Sequence, residues 1–373
     1  MNKFKLGIIQ PRLSYYVGGG EKTTYFHAKL LPSENFEVYL YTLKPLDKRS
    51  FVYDDLLKNK PENLHIKEFE VSEKFKYIYE MPVGEDRSRW DIESLFFSEL
   101  IYKDLEKDKL NAILNYYILD GLFKPRNIKN ILYLLGYSSN HSEYWKSFFG
   151  FYDLTISIGT NVREKWSQYL NPANSTSILS TGVVYPDNEI FKFDKKFLNL
   201  VFAGRLIERK CILTLLSAIE KIKDKIPNIK LHILGDGPLK EKITTEIETL
   251  KIGDNVELHG LVENPQAYFK SADICVFPSH EKEGLLGVVM EAMICGKPVI
   301  TTKDNGNEGI IVNNKTGILV EPKNIEELSL EIERLAQDEN LRNKMGKAAK
   351  KFAEENLLWE KHIEKLKSLI VNN

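Results

Sequence analysis

A chain of 373 residues, 43% of them apolar, can bury the cores of two or three domains without disulfide or metal staples. Its 52 basic and 53 acidic side chains give a net charge of −1, with neither half biased. That balance excludes the basic footprint of a nucleic-acid binder and the charge excess of a disordered chain.

The first residues, Met1 to Pro11, start with lysines as a leader does, but the apolar run breaks at Gln10. It is too short for a signal peptide and predicts a strand over 4–10. A glycine-rich loop, a helix over 21–31 and a strand over 36–42 then complete one βαβ unit. The stretch 45–100 is charged and weakly periodic, and is expected to be an elaborated surface region. Strands are predicted near 111–116, 130–135 and 154–158, then a turn at Thr181-Gly182 and a link near 183–197.

The second half is more regular. Leu198–Ala203 reads as a buried strand that ends at Gly204, and Ile212, Leu215, Leu216, Ile219 and Ile222 form the stripe of an amphipathic helix. Strand 229–234 stops at Gly235-Asp236-Gly237-Pro238, a strong turn signal. Helix 239–250, strand 255–259, helix 264–270, strand 273–277, helix 287–295 and strand 299–301 continue the alternation. Gly296 and Pro298 punctuate the end of helix 287–295. Asn324 with Glu327 predicts a capping box at the start of a further helix.

Strands alternating with helices predict an α/β protein of parallel sheets covered on both faces. Two Rossmann-like domains are expected, facing across a cleft: 1–185 and 198–356, with a terminal helix 357–373 packing back on the first. Ligands of open α/β sheets bind at the carboxyl ends of the strands. No run approaches the ~18 apolar residues of a membrane span. Cys211, Cys275 and Cys295 are widely spaced within apolar patterns and read as buried thiols of a reducing compartment. The expectation is a cytoplasmic protein.

Three clusters can carry chemistry. Gly18-Gly19-Gly20-Glu21 opens a helix, where backbone N–H groups and the dipole favour an anion; a flexible loop is the ordinary alternative. Arg205, after the first strand of the second half, and Lys210, opening the next helix, suit a diphosphate, the guanidinium as a fork and the ammonium as a compact charge. Their ordinary reading is two solvated cations. In the third, Glu283 and Glu291 flank a loop running into a helix, and N–H groups around Leu286, Gly287 and Val288 face the same place. Taken singly, each acid is more often a surface carboxylate.

Residues 198–357 resemble the donor-binding domain of the retaining glycosyltransferases of family 4, which have the GT-B fold. The matching pieces, in order, are Gly204-Arg205-Leu206 with Lys210, Leu234-Gly235-Asp236-Gly237-Pro238, and Ala272-Asp273 through Phe277-Pro278-Ser279. Glu283 with Glu291, Glu291-Ala292-Met293 with Gly296-Lys297-Pro298-Val299-Ile300, and Thr316-Gly317 follow. Weaker similarity in the first half rests on Gly18–Glu21, Asp153–Ser157 and Thr181-Gly182-Val183.

The resemblance implies that Arg205 and Lys210 hold the diphosphate of a sugar nucleotide. Glu291 would bond its ribose, Leu286, Gly287 and Val288 would lie at the phosphates, and Glu283 would be the catalytic carboxylate near the reacting carbon. Gly19 and Gly20 would close over the phosphates from the other domain. It further implies transfer of a hexose-type sugar with retention and without a metal or other cofactor. The acceptor would be a hydroxyl of a saccharide or lipid-linked molecule, in cell-surface or secondary glycan synthesis. Peripheral contact with the inner face of the membrane is compatible with that role. The chain has no D-x-D, and its seven histidines show no ligand spacing.

Three departures stand out. Cys211 occupies a position where the family commonly has glycine, and Gly287 lies one place later than the usual glycine. Leu135-Gly136-Tyr137-Ser138 stands where a histidine is common, the nearest being His141. That last departure keeps open a non-catalytic sugar-nucleotide-binding or scaffold subunit. A nicotinamide-dependent oxidoreductase is disfavoured, because no G-x-G-x-x-G follows strand 4–10.

Overall fold

The computed structural model describes residues 3–45, 47–71, 88–136, 144–171, 173–280, 287–303 and 306–372. The chain forms two compact units, Met1–Thr181 with Trp359–Asn373, and Gly182–Leu358. Each is built on one parallel sheet, as the alternation of strands and helices requires.

The sheet of the first unit has seven strands, in the order β3-β2-β1-β4-β5-β6-β7. Its elements are β1 (Phe4–Ile9), α1 (Gly19–Leu30), β2 (Phe36–Leu43), α2 (Phe51–Lys58), β3 (Leu64–Phe69), α3 (Ser88–Leu100), α4 (Tyr102–Asp108), β4 (Ala112–Asn115), β5 (Lys129–Leu134), α5 (Tyr144–Phe149), β6 (Leu154–Ser157), α6 (Thr160–Trp166) and β7 (Ser175–Ile178). Inner strands such as β4 and β6 are buried at every position, although β4 ends in Asn115 and β6 carries Thr155 and Ser157. The stretch 45–100 is more than surface elaboration, since it carries α2, β3 and α3. Strand β3 pairs with β2 from Leu43↔Phe69 back to Val38↔Leu64. As an edge strand it is only partly covered, so its sequence LHIKEF mixes charge with apolar residues and loses the signal. The other edge, β7, is polar STSI and was hidden for the same reason.

The second unit has six strands, in the order β10-β9-β8-β11-β12-β13. Its elements are β8 (Leu198–Ala203), α7 (Ile212–Ile222), β9 (Ile229–Leu234), α8 (Lys240–Thr249), β10 (Val256–Gly260), α9 (Pro265–Ser271), β11 (Ile274–Phe277), α10 (Gly287–Ile294), β12 (Val299–Thr302), β13 (Ile318–Val320), α11 (Ile325–Gln337) and α12 (Glu339–Asn356). The predicted stripe of α7 is buried throughout, from Ile212 to Ile222. At α11 the Asn324 side chain accepts the Glu327 N–H at 3.0 Å. The reciprocal half of the expected capping box is absent, because the Glu327 carboxylate accepts from the Glu321 N–H instead, at 2.8 Å.

The last helix, α13 (Trp359–Asn372), belongs to the first unit and packs on α1. The contact centres on two buried imidazoles, with His27 Nε2 and His362 Nε2 2.6 Å apart. His362 Nδ1–H donates to the Ser180 carbonyl at 2.6 Å, so its Nε2 accepts from His27 Nε2–H. His27 Nδ1 then accepts from the Tyr116 hydroxyl, also at 2.6 Å. Every ring nitrogen is satisfied only while both rings are neutral. Burial pushes both histidines down, His362 to about 4, and the neighbouring ring adds to the effect on His27.

That pair sets an acid limit. Both native pKa values lie below the unfolded value of about 6.5, so the stabilisation is complete above that pH. As the pH falls from 6.5 toward 4 the unfolded chain takes up protons that the native pair refuses, and the stabilisation is lost. Each refused proton costs about 1.4 kcal/mol per pH unit. Melting curves between pH 7.5 and 5 should therefore fall more steeply for the natural chain than for His362→Gln, which is less stable at pH 7.5. Parallel curves would remove the pair from the acid response.

Candidate functional site

In the second unit the site is a set of loops at the carboxyl ends of β8, β9, β10 and β11. The Gly204 N–H donates to the Leu234 carbonyl at 2.9 Å, continuing the ladder one residue past β8. Leu206 is buried and ties two loops, its N–H to the Asp236 carbonyl at 3.0 Å and its carbonyl to the Leu239 N–H at 3.1 Å. Arg205, next to this anchor, is exposed. Glu208–Lys210 is one turn of 3-10 helix, after which α7 begins. The Lys210 Cε lies 3.8 Å from where a side chain on Gly204 would begin, so the ammonium stem folds back over the end of β8. Arg205 and Lys210 are thus both held at that strand end.

Cys211 lies in the left-handed region, φ 51° and ψ 38°. Glycine is the residue that adopts this conformation at low cost, which explains why the resemblance calls for one here. The chain keeps the turn and carries the strain of a side chain in it.

The Arg209 carbonyl accepts the His280 N–H at 3.0 Å, joining the β8 loop to the loop after β11. Glu283 and Leu286 lie further along that loop, outside the described residues. Gly287 and Val288 open α10, where first-turn N–H groups have no intrahelical acceptor. Glu291 is half-buried on the same helix, whose Val289, Met290, Ala292 and Met293 fill the core.

In the first unit α1 starts at Gly19, two residues before the predicted start, with Gly18 as its N-cap. The Glu21 carboxylate takes the Gly18 N–H at 3.0 Å. Gly19 faces open space, whereas a Cβ on Gly20 would meet Leu135 Cδ1 at 2.9 Å. Beneath the loop lies a buried charge cluster that the sequence did not announce. Arg12, completely buried, pairs with Glu93 at 3.1 Å and lies 4.0 Å from both Glu21 and Asp120. Its guanidinium sits 4.0 Å over the Tyr117 ring. Burial alone would lower the Arg12 pKa, but Glu93, Tyr117 and Asp120 outweigh it and raise it. Burial pushes the Asp120 carboxyl up to about 7, against the pull of Arg12. The only hint was an arginine three residues beyond the end of an apolar strand. His141, like Tyr137 and Ser138, lies outside the described residues.

One histidine group also escaped the sequence. His232, Glu257 and His259 converge because β9 and β10 pair with His232 opposite Glu257. Spacing along the chain cannot show a cluster that strand register makes.

Residues 186–352 match the family of glycosyl transferases group 1. An uncharacterized glycosyltransferase of Methanocaldococcus jannaschii, MJ1069, is 24% identical over 99% of this chain and 98% of its own length. The poly(glycerol-phosphate) alpha-glucosyltransferase of Bacillus subtilis is 36% identical over 41% of this chain but only 23% of its own length. The capsular polysaccharide biosynthesis glycosyltransferase CapM of Staphylococcus aureus is 31% identical over 43% of each. Among solved structures, a glycosyltransferase of Rickettsia africae superposes with a TM-score of 0.77 at 17% identity, covering 100% of this chain and 99% of that one. HepE of Anabaena, in complex with UDP and glucose, gives 0.74 at 14% identity with both chains covered completely. The shared fold is GT-B.

In the loop after β9 a single methyl group is decisive. Gly235 has φ +139°, and a Cβ on it would stand 2.0 Å from the Gly204 carbonyl oxygen. Gly235→Ala should cost roughly 2 kcal/mol or more, from backbone strain together with displacement of the β8 loop. Denaturant unfolding measures this cost. A loss under 0.5 kcal/mol, on the scale of an ordinary surface substitution, would show that the loops can part freely.

Proposed function

We propose that the chain, whose residues 186–352 match the family of glycosyl transferases group 1, is a glycosyltransferase that moves a sugar from a nucleoside diphosphate to a hydroxyl acceptor, with retention of configuration and without a metal at the diphosphate. The observation that carries this reading is the placement of Arg205 and Lys210 at the end of β8, beside loops whose glycines let backbone approach backbone. A guanidinium and an ammonium fixed there supply the charge that a divalent ion supplies elsewhere.

In the proposed step the acceptor oxygen attacks the anomeric carbon on the face from which the diphosphate leaves. The carbon–oxygen bond to phosphate breaks, and its electron pair goes to the departing diphosphate. The new glycosidic bond forms, and the acceptor proton passes to a diphosphate oxygen. Arg205 and Lys210 stabilise the growing charge, aided by N–H groups of Leu286 and, at the start of α10, of Gly287 and Val288. Glu291 holds the ribose hydroxyls, and Glu283 orients the donor sugar at its reacting carbon. Gly19 and Gly20 enter the proposal as further amide donors. The Arg12 cation under their loop offsets the charge of Glu21, which would otherwise oppose an anion.

The acceptor we propose is a saccharide or lipid-linked hydroxyl, with a role in cell-surface or secondary glycans. CapM, named for capsular polysaccharide biosynthesis, and the poly(glycerol-phosphate) alpha-glucosyltransferase support it. The proposed place of action is the cytoplasm, with peripheral contact to the membrane's inner face. Among the described residues no helix is long and apolar enough to cross a membrane.

Replacing Arg205 or Lys210 by Ala should weaken nucleoside diphosphate binding by roughly 1.5–3 kcal/mol, the scale of a charged hydrogen bond, and nucleoside binding far less. Calorimetry with both ligands measures the difference, and equal losses would assign these cations to the fold. In the same preparation EDTA should leave transfer intact. Loss of transfer restored by Mg²⁺ or Mn²⁺ would overturn the charge inventory.

The two glutamates should separate cleanly. Glu283→Gln is expected to keep diphosphate affinity while transfer or donor hydrolysis falls by on the order of 10²-fold, since orientation of the reacting carbon is lost. Glu291→Gln should instead weaken nucleotide binding. Wild-type activity in Glu283→Gln would refute its assignment. A natural chain that binds donor yet never turns it over would be a binding subunit.

A further inference from the structure

We propose that His232, Glu257 and His259 bind one divalent transition-metal ion of the zinc kind, which clips the edge strand β10 to β9. The site is separate from the diphosphate chemistry above and does not depend on it. His232 Nδ1 and His259 Nε2 are 3.0 Å apart. The Glu257 carboxylate reaches both with different oxygens, Oε2 at 3.6 Å from His232 Nδ1 and Oε1 at 3.7 Å from His259 Nε2. A tetrahedral zinc ion with bonds of about 2.0–2.1 Å sets its ligand atoms roughly 3.3–3.4 Å apart, and both the separation of the two imidazoles and the approach of each oxygen to its own imidazole lie close to that value.

Proton accounting points the same way. Asn199 donates through its amide N–H groups to the carbonyls of Asp194 at 3.3 Å and Phe197 at 2.9 Å, which turns its Oδ1 toward the histidine. His232 Nε2–H donates to that oxygen at 3.0 Å. The tautomer is thereby fixed, and His232 Nδ1 presents a lone pair to the other two residues. Glu257 brings only acceptor oxygens. A neutral His259 has one Nε2–H to offer both of them. The His232 lone pair and the Glu257 oxygens therefore converge on at most one proton, and a cation that replaces it satisfies them together with the His259 nitrogen.

The surroundings keep both imidazoles in their ligand form. Burial lowers the pKa of each, that of His232 to about 3, where His259 and Lys230 add to the effect. Phe193 stacks on His232 at 4.0 Å, while Tyr268 and Phe191 stand edge-on to His259 at 5.2 and 5.5 Å. Glu257, half-exposed, is the side open to an entering ion. Two imidazoles and one carboxylate suit zinc-like ions and not magnesium, which demands oxygen ligands.

The test uses the full chain without an affinity tag, stripped with EDTA and dialysed. Titration with Zn²⁺, followed by calorimetry and elemental analysis, should show one ion per chain bound in the micromolar range or tighter. At 100 times the dissociation constant the melting temperature should rise by roughly 5–10 °C. Co²⁺ in its place should give the visible bands of a four- or five-coordinate nitrogen–oxygen site. Glu257→Gln, which changes a half-exposed group, should keep the melting temperature of the metal-free protein and bind at least 10-fold more weakly. His259→Gln should abolish the cobalt bands. Absence of stoichiometric binding, or binding that neither substitution alters, would overturn the site.

Discussion

The loops after β8 and β9 cross so closely that the β9 loop has no room for a side chain at Gly235 or Gly237. The Gly204 carbonyl occupies the place of a Cβ on Gly235, and the Leu206 carbonyl stands 2.5 Å from that of a Cβ on Gly237. Buried Leu206 then locks the crossing through hydrogen bonds to both sides. Because the strands are parallel, every carboxyl-end loop of this unit gathers on one edge of the sheet. Shifting this crossing would shift Arg205 and Lys210 with it. Cys211 shows how firmly the turn is specified, since a left-handed backbone persists there without glycine.

In the first unit a buried cation does comparable work under the glycine-rich loop. Arg12 joins Glu93 and Ser94 of α3 to Glu21 of α1 and to Asp120 after β4. Desolvating a guanidinium is costly, and removing one partner of such a group costs more than the pair contributes, typically 3–5 kcal/mol. The cluster is therefore better understood as fixing where α1 begins than as a source of stability. Glu21 serves twice, balancing Arg12 and capping Gly18.

What the sequence made legible follows from burial. Strands covered on both faces announce themselves as apolar runs, so β8, β9 and β11 were readable, and the glycines after them marked the site. Edge strands are half-solvated and composed accordingly, which hid β3 and β7, while β13 offers only three residues. Motif residues lie close together in sequence because one loop holds them. Arg12 with Glu93, or His232 with His259, become neighbours only through topology and register, and no local pattern encodes that.

The two histidine pairs show why proximity alone does not make a metal site. In His27–His362 each ring nitrogen meets a matching donor or acceptor, from the Ser180 carbonyl at one end to the Tyr116 hydroxyl at the other. No lone pair is left to convergence, and no carboxylate balances an ion. Inserting a dication there would break three hydrogen bonds and bury an uncompensated charge. In His232–His259 the fixed tautomer and the Glu257 carboxylate reverse both conditions, supplying converging lone pairs and negative charge. Two neutral imidazoles thus bolt a terminal helix in one unit and form a ligand set in the other, and the difference lies in which protons the neighbouring groups dictate.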